Sequence, residues 1–343
     1  MQRAGRQAAT LAMSLLSDLP EKQKTVLVLA GPGNNGGDAL EMATLLADSG
    51  ISVSVLLVSN RKKNEPEEAR LARQKAIKSA IHWEDALSIK TTLESLKKRN
   101  WSLVVDGMFG IGLKEALTGN RSELVETVNT FSCPVLALDV PSGLNADTGN
   151  VVGQDAVAIK ATHTITFLAD KPGLHTGKGR DYAGQVHVAP LDVDKKYFPE
   201  TRCWLNSPKL FSRLLVPRLH DTHKGSYGRI AIVGGADGMA GAPVLAARTA
   251  LYTGSGLCYA VYLKNPPVYD PVTPELMFRA AHQYDFSSDV IVIGPGLGKS
   301  PVAREYVEKT IESGKPALFD ADALNILAES VELQESLADR SPP

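Results

Sequence analysis

Short aliphatic and β-branched runs alternate with helical stretches along the first half of the chain. Residues 25–31 (TVLVLAG) and 52–58 (SVSVLLV) predict strands, and residues 38–50 between them predict a helix. Two further apolar runs, 101–110 and 133–143, each pass into an aspartate and a glycine-containing turn. Near-continuous apolar strands separated by helices are typical of a parallel sheet covered on both faces. The pattern therefore predicts an α/β fold.

The regular alternation is lost between residues 201 and 222, where proline, charged and aromatic residues mix without a period. Beyond it, a strand, a glycine turn, a small-residue helix and another strand start a second unit. We therefore predict a first domain over residues 1–200, a linker over 201–222 and a second α/β domain over 223–343.

The first twenty residues contain arginine and few acids, which is compatible with a transit peptide. Their leucines have helical spacing, however, and this favours a packed helix. These leucines are Leu11, Leu15, Leu16 and Leu19.

The composition limits which binding partners and which cellular compartment are expected. The chain of 343 residues has a net charge of −1, so nucleic acid and anionic membranes are not expected as partners. No apolar run approaches the roughly 18 residues that a membrane span needs. Its three cysteines, Cys133, Cys203 and Cys258, are widely spaced without a CxxC pair. They predict reduced thiols and a cytoplasmic protein.

Polar residues cluster where the predicted strands of the first domain end. Asn34, Asn35 and Asp38 follow the first strand, whereas Asp106 and Asp139 close two later ones. Parallel sheets bind ligands at the carboxyl ends of their strands. This coincidence predicts a ligand site at that edge.

The segment GPGNNGGD (31–38) is the strongest candidate. Glycines let backbone amides approach a ligand closely, and amides at a helix start form an anion site. The structural alternative is a tight strand–helix turn in which Asp38 only caps the helix. A turn needs fewer glycines and no asparagine pair, so a ligand segment is favoured. It lacks the lysine of a GxxxxGK[ST] phosphate loop.

Two later segments leave their chemistry open. Asp106 precedes a glycine-containing turn and is either a cation ligand or a turn former. Asp139 and Ser142 could contribute oxygen ligands to a hard cation, and Asp139 could equally act as an acid or base. A serine nucleophile is disfavoured because no GxSxG elbow occurs.

Other familiar sites fit less well. The histidines show neither HxxxH nor HExxH spacing, so a zinc site is not expected, and His163 and His187 are assigned to the core or a sheet face. GPGLGKS (294–300) lacks Walker spacing, although it could contact a phosphate. An NAD-dependent dehydrogenase is disfavoured because the strand after the first turn, residues 52–58, ends without the acid that would bind the ribose.

Three ordered segments, GPGNNGGD, DGMFGIGL and DVPSGLNADTG, resemble the epimerase domain of the NAD(P)H-hydrate repair family. From residue 224 on, GRIAIVGGADGMAGAP, IGPGLG and DADALNIL resemble the family's dehydratase domain. The resemblance implies a Rossmann-like parallel three-layer sandwich followed by a partial ribokinase-like α/β domain. It implies an isomerase that interconverts the R and S forms of hydrated NADH and NADPH (NADHX and NADPHX). In the parent protein, a lyase activity then dehydrates the S form with ADP and Mg²⁺.

The same resemblance implies roles for individual residues. Asp139 is the catalytic residue, and Asn35, Asp106 and Ser142 bind a potassium ion. A homo-oligomer is also expected. The residues that bind substrate are Asn34, Asn35, Gly36, Gly37, Asp38, Gly110, Ile111, Gly112, Leu113, Lys114, Glu115, Ala116, Asp139, Ala242 and Gly298.

The chain departs from the family pattern in three places. Ala39 stands where the family more often has glycine, and the chain starts inside a segment that reads LMENAG in the family. Neither PHPGE nor GTGD, whose aspartate is catalytic in the family, occurs in it. We therefore expect a partial second domain that does not dehydrate. The alternative function is a nucleotide- or protein-binding scaffold without turnover, against which the full set of polar residues argues.

Overall fold

The computed structural model separates into two compact units, Met1–Ser207 and Pro208–Pro343. The predicted domain limits and the linker over 201–222 stay predictions. The structure describes residues 1–58, 65–84, 89–201, 203–214 and 217–340.

The first unit is built on a seven-stranded sheet in which every pairing is parallel, as the apolar pattern predicts. The strand order is β3-β2-β1-β4-β5-β6-β7, so the order reverses between β1 and β4. The strands are β1 Thr25–Ala30, β2 Ser52–Leu57, β3 His82–Trp83, β4 Leu103–Gly107, β5 Val135–Leu138, β6 His163–Phe167 and β7 Gln185–Ala189.

Helices cover both faces of this sheet and give it two separate cores. On β1, Val26 and Val28 face the core formed with α1 and α2, whereas Leu27 and Leu29 face the core that contains α5. Both faces of the strand are therefore buried, which explains its uninterrupted apolar sequence. The helices are α1 Gln2–Leu15, α2 Asn34–Asp48, α3 Glu67–Ile77, α4 Ile89–Lys97, α5 Asn120–Val128 and α6 Gly179–Tyr182.

The packed helix predicted at the start of the chain is confirmed. Its buried face consists mainly of alanines, with the predicted leucines at its margin or just beyond its end. Gly5 contacts α2, because a Cβ there would lie 2.7 Å from the Cβ of Glu41. Small residues thus allow α1 and α2 to approach closely.

The prediction that a loop precedes a helix at residue 38 was wrong, because α2 begins at Asn34. Gly33 is its N-cap, so Asp38 lies inside the helix and does not cap it. Steric constraints explain several of the glycines. A Cβ on Gly31 would lie 1.7 Å from the carbonyl oxygen of Met108, and one on Gly36 would lie 1.9 Å from that of Gly31.

The predicted placement of two histidines on the sheet is confirmed. His163 lies on β6 and His187 on β7, with their ring centroids 5.8 Å apart.

The second unit contains a five-stranded parallel sheet in the order β10-β9-β8-β11-β12. Its strands are β8 Arg229–Gly234, β9 Leu257–Tyr262, β10 Met277–Ala280, β11 Val290–Ile293 and β12 Ala317–Phe319. Its helices are α7 Pro208–Phe211, α8 Gly241–Tyr252, α9 Pro301–Glu312, α10 Ala321–Ala328 and α11 Val331–Ala338. The α/β class predicted for the chain is therefore confirmed. Within the described residues, no helix is both long and apolar enough to span a membrane.

The close approach at Gly36 predicts a loss of stability in Gly36→Ala. Helix propensity alone predicts a gain of about 1 kcal/mol. We expect instead a net loss of about 2 kcal/mol or more, because the new Cβ clashes with the carbonyl oxygen of Gly31. Urea unfolding followed by tryptophan fluorescence measures the change in the free energy of unfolding, since all three tryptophans lie in the first unit.

Gly33→Ala is the matched control. A Cβ on Gly33 meets no atom within 4 Å, and its φ of −107° is open to alanine. The free energy of unfolding should change by less than about 1 kcal/mol. Equal losses in the two variants would contradict the steric explanation.

Candidate functional site

A cavity of about 710 Å³ opens at the carboxyl ends of β1, β4, β5 and β6. It lies at the point where the strand order reverses, which is where open α/β sheets bind ligands. Eight of the predicted substrate-binding residues line it. They are Asn34, Asn35, Asp38, Gly110, Ile111, Gly112, Leu113 and Asp139.

The other predicted residues lie elsewhere. Gly36 and Gly37 are buried within α2, where a Cβ on Gly37 would lie 2.9 Å from the Cα of Ala69 on α3. Lys114, Glu115 and Ala116 continue the turn beyond the lining residues. Lys114 and Glu115 are exposed to solvent, whereas Ala116 is half-buried.

Asp139 faces the cavity from the end of β5 with an unusual backbone conformation. Its φ is +67°, in the left-handed region that aspartate tolerates better than most residues. The Oδ2 atom accepts a hydrogen bond from the Ile111 amide at 3.3 Å, and Oδ1 accepts one from Lys171 Nζ at 2.8 Å. The carboxylate is thus held between the turn after β4 and a lysine.

Lys171 is a cavity residue that our sequence analysis missed. Its Nζ also donates to Thr166 Oγ1 at 2.6 Å and to the Phe167 carbonyl oxygen at 2.7 Å. The site therefore has a lysine, but it follows β6 rather than belonging to the glycine-containing segment after β1. Its position just beyond a strand's carboxyl end was the signal that could have revealed it.

Asp38 is the second carboxyl group that lines the cavity. Burial raises its pKa from 3.8 to about 7, while the Met1 ammonium, 3.9 Å from Oδ1, lowers it and the charge of Asp139 raises it. A carboxyl group with a pKa near neutrality can both donate and accept a proton at physiological pH. The cavity thus contains two carboxyl groups in different electrostatic surroundings.

Beneath the cavity lies a buried polar group made of Asp106 and Ser142. Asp106 Oδ1 accepts from Ser142 Oγ at 2.6 Å, and Oδ2 accepts from the Ser142 amide at 2.7 Å. Burial raises the pKa of Asp106 to about 6, although the hydrogen bonds from Ser142 and from the Met108 amide oppose the shift. Asp106 and Ser142, which the sequence analysis assigns to one site, are therefore in direct contact.

Asn35 supplies a buried oxygen atom without a partner. Its Nδ2 donates to the Leu138 carbonyl oxygen at 3.1 Å, but its Oδ1 has no hydrogen-bond partner among the described residues. Burying such an acceptor is costly unless something satisfies it. An oxygen-coordinated cation fits this chemistry. In the described parts of the chain, no group of three His, Cys, Asp or Glu residues could hold a metal, so amide, hydroxyl and carbonyl oxygens would be needed.

The two predicted residues of the second unit lie beyond the ends of β8 and β11. Ala242 is in the first turn of α8, and Gly298 is in the glycine-containing turn after β11. A Cβ on Gly296 would lie 3.1 Å from the Cβ of Ala242, and one on Gly298 would lie 3.3 Å from that of Ala236. The Gly298 amide donates to Asp322 Oδ2 at 2.8 Å. The start of α8 and the turn that contains Gly298 are therefore adjacent at one edge of the sheet.

Two family models match the chain. One, described as the YjeF-related protein N-terminus, matches residues 1–173, and the other, NAD(P)H-hydrate dehydratase, matches residues 230–340. The chain is 38% identical over 339 residues to the bifunctional NAD(P)H-hydrate repair enzyme Nnr of Escherichia coli. It is 37% identical over 349 residues to the corresponding enzyme of Coxiella burnetii. The chain belongs to the NAD(P)H-hydrate repair family.

These family members are longer than this chain. The alignments cover 96% and 98% of the chain but 62% and 67% of the E. coli and C. burnetii proteins. Among solved structures, a yeast protein, ynu0, is similar at 25% identity and a TM-score of 0.45, over 55% of this chain and 76% of that one. An ADP/ATP-dependent NAD(P)H-hydrate dehydratase from Bacillus subtilis is similar at 27% identity and a TM-score of 0.28, over 32% and 43%. The family resemblance inferred from the motifs is confirmed.

The raised pKa of Asp38 predicts a pH-dependent stability. Its folded pKa of about 7 lies above the ordinary 3.8, so the native state binds the proton more tightly than the unfolded chain. This stabilisation is fully present below about pH 4 and is lost as the pH rises through about 7. In Asp38→Asn, the free energy of unfolding of the first unit should fall less between pH 5 and pH 8 than in the wild type.

Asp48→Asn is the control, since Asp48 is an exposed carboxylate at the other end of α2. It should keep the wild-type pH dependence in urea titrations followed by tryptophan fluorescence. An unchanged pH dependence in Asp38→Asn would contradict the assignment.

Proposed function

We propose that the first unit is an epimerase that interconverts the R and S forms of NADHX and NADPHX. The observation that carries the proposal is the placement of Asp139, whose carboxylate faces the cavity at the reversal of strand order. Membership of the NAD(P)H-hydrate repair family supplies the substrate class.

The chemistry follows from the structure of the hydrate. Its hydroxyl group is on a carbon bonded to the ring nitrogen, so the nitrogen lone pair can displace it. The C–O bond breaks, the hydroxyl takes a proton and leaves as water, and a cation shared by carbon and nitrogen remains. Water then adds to the opposite face and returns the proton. The enzyme therefore needs an acid–base group and a negative charge near the cation.

Asp139 and Asp38 fit these needs. We assign Asp139 to the reacting carbon as the acid–base group, with its carboxylate also stabilising the cation. Asp38, whose pKa is raised to about 7, is the second group in the cavity that can carry the proton. Paired carboxyl groups with divergent surroundings are a common arrangement for such chemistry.

Backbone amides fit the pyrophosphate of the substrate. The start of α2 and the turn at Gly110–Leu113 both line the cavity. Amides at a helix start and in glycine-containing turns bind anions without a charged side chain. The cavity volume of about 710 Å³ is within the range of small-molecule sites.

A potassium ion is the cofactor that we propose for the first unit. The ion would be held by Asn35, Asp106 and Ser142. Asn35 Oδ1 is buried and has no hydrogen-bond partner in the part of the chain that the structure describes, and Asp106 is a buried carboxyl group. The ion would supply a positive charge that offsets the carboxylates of this edge.

We propose that the second unit contributes Ala242 and Gly298 to a substrate site of the dehydratase type. The Bacillus subtilis protein mentioned above is described as ADP/ATP-dependent and was co-crystallised with ATP and Mg²⁺. ADP and Mg²⁺ are the cofactors that we propose for the dehydratase domain of this family. That these 343 residues do not dehydrate stays a prediction, as do the homo-oligomer and the cytoplasmic location.

Asp139→Asn tests the epimerase. Purified R-NADHX is mixed with ADP and an excess of a family dehydratase that has no epimerase domain, so that formation of NADH reports the supply of the S form. We expect the variant to lose at least about 100-fold in rate while its affinity for the hydrate stays within a few-fold. Wild-type rates in Asp139→Asn would rule out the acid–base role, whereas tight binding without exchange in the wild type would favour the scaffold.

Asn35→Leu tests the potassium site. In the wild type, replacing tetramethylammonium chloride by KCl at equal ionic strength should raise the melting temperature of the first unit. The rise should disappear in Asn35→Leu, which lacks the buried amide oxygen. Asn34→Leu, at the exposed neighbouring position, should keep it. A potassium effect of the same size in all three proteins would exclude Asn35 as a ligand.

A further inference from the structure

Lys171 is the one cationic side chain that contacts Asp139 in the described residues, and it is largely withdrawn from solvent. Its side chain and that of Asp139 are each 16% exposed, and the Nζ–Oδ1 distance is 2.8 Å. The three acceptors around Nζ are the Asp139 carboxylate, the Thr166 hydroxyl and the Phe167 carbonyl.

These three hydrogen bonds use every donor that a lysine ammonium has. No N–H of Lys171 remains for a phosphate or a hydroxyl of the substrate unless one of the three bonds breaks. The contact pattern is therefore that of a group that acts on Asp139, although Lys171 lies in the wall of the cavity.

The positions of the three acceptors also show how the Asp139 carboxylate is oriented. Thr166 and Phe167 belong to the end of β6, whereas Asp139 follows the neighbouring strand β5. Lys171 thus anchors Oδ1 of the carboxylate to the adjacent strand. The other oxygen, Oδ2, accepts the longer hydrogen bond from the Ile111 amide at 3.3 Å and lies near Gly110, where a Cβ would lie 2.9 Å from it.

We propose that Lys171 is a positioning residue for Asp139, which fixes the carboxylate so that Oδ2 faces the hydroxyl group on the reacting carbon of the hydrate. The inference rests on the proposed epimerase function. Without the ammonium, the carboxylate loses its anchor on β6 and keeps only the 3.3 Å hydrogen bond from the Ile111 amide among those that the structure describes, so it is less restrained in rotation. Misorientation of a reacting group lowers the rate far more than it lowers substrate affinity.

Lys171→Met tests this role, because methionine keeps the apolar stem and removes the ammonium. We expect kcat for epimerisation to fall by about 100-fold, with KM for R-NADHX within about threefold of the wild type. Lys178→Met is the matched control. Lys178 is an exposed lysine a few residues further along, and its substitution should change neither constant.

Chemical rescue separates positioning from a general effect on folding. In Lys171→Ala, methylammonium chloride should restore part of the lost kcat, since a small ammonium ion can occupy the space beside Asp139. All reactions contain saturating KCl, so that the amine does not act as a potassium substitute. The wild type with the same amine is the control, and tryptophan-detected melting shows that the first unit of each variant is folded.

The outcomes are distinct. A loss in kcat with amine rescue supports the proposal. A rise in KM with unchanged kcat would make Lys171 a substrate ligand and overturn it, and so would wild-type constants in Lys171→Met. A wild type that binds R-NADHX but does not exchange its forms would refute the epimerase function itself, a result visible before any Lys171 variant is made.

Discussion

The close approach between the start of α2 and the ends of β1 and β4 is the constraint on which the rest of the first unit depends. Gly31 contacts the Met108 carbonyl and Gly36 contacts the Gly31 carbonyl at distances that exclude a side chain. Because the helix starts this near the sheet, Asn35 reaches the Leu138 carbonyl beyond β4. The shape of the cavity wall and the position of the buried Asp106–Ser142 pair therefore depend on glycines, which have no Cβ atom, as much as on the polar residues.

The three carboxyl groups at this edge of the sheet have different electrostatic partners. Asp106 is enclosed by hydrogen bonds from Ser142 and Met108, and Asp139 is paired with Lys171. Within the described ranges, the ion pair of Asp38 is the longer one with the Met1 ammonium, and burial has the largest effect on the pKa of this carboxyl group. Three acids within one sheet edge thus differ in what balances their charge, which is a frequent property of catalytic sites.

Much of this arrangement could be predicted because it depends on periodic or local properties. Apolar runs predicted the parallel strands. The rule that ligands bind at the carboxyl ends of strands predicted one site for Asn35, Asp38 and Asp139, and all three line the cavity. Lys171 was missed because its role arises from a contact with a residue on another strand. The start of α2 was misplaced because glycine and asparagine disfavour helices locally, whereas here the steric fit against β1 determines the conformation.

The hydrogen bond from Asn35 to Leu138 also bears on the order of folding. It joins groups that are 103 residues apart, across a strand that lies between them in the sheet. Such a contact can form only after β1, β4 and β5 have aligned, because closing so long a loop has a large entropic cost. During synthesis, the ribosome must therefore have made most of this sheet before the groups that line the cavity can come together.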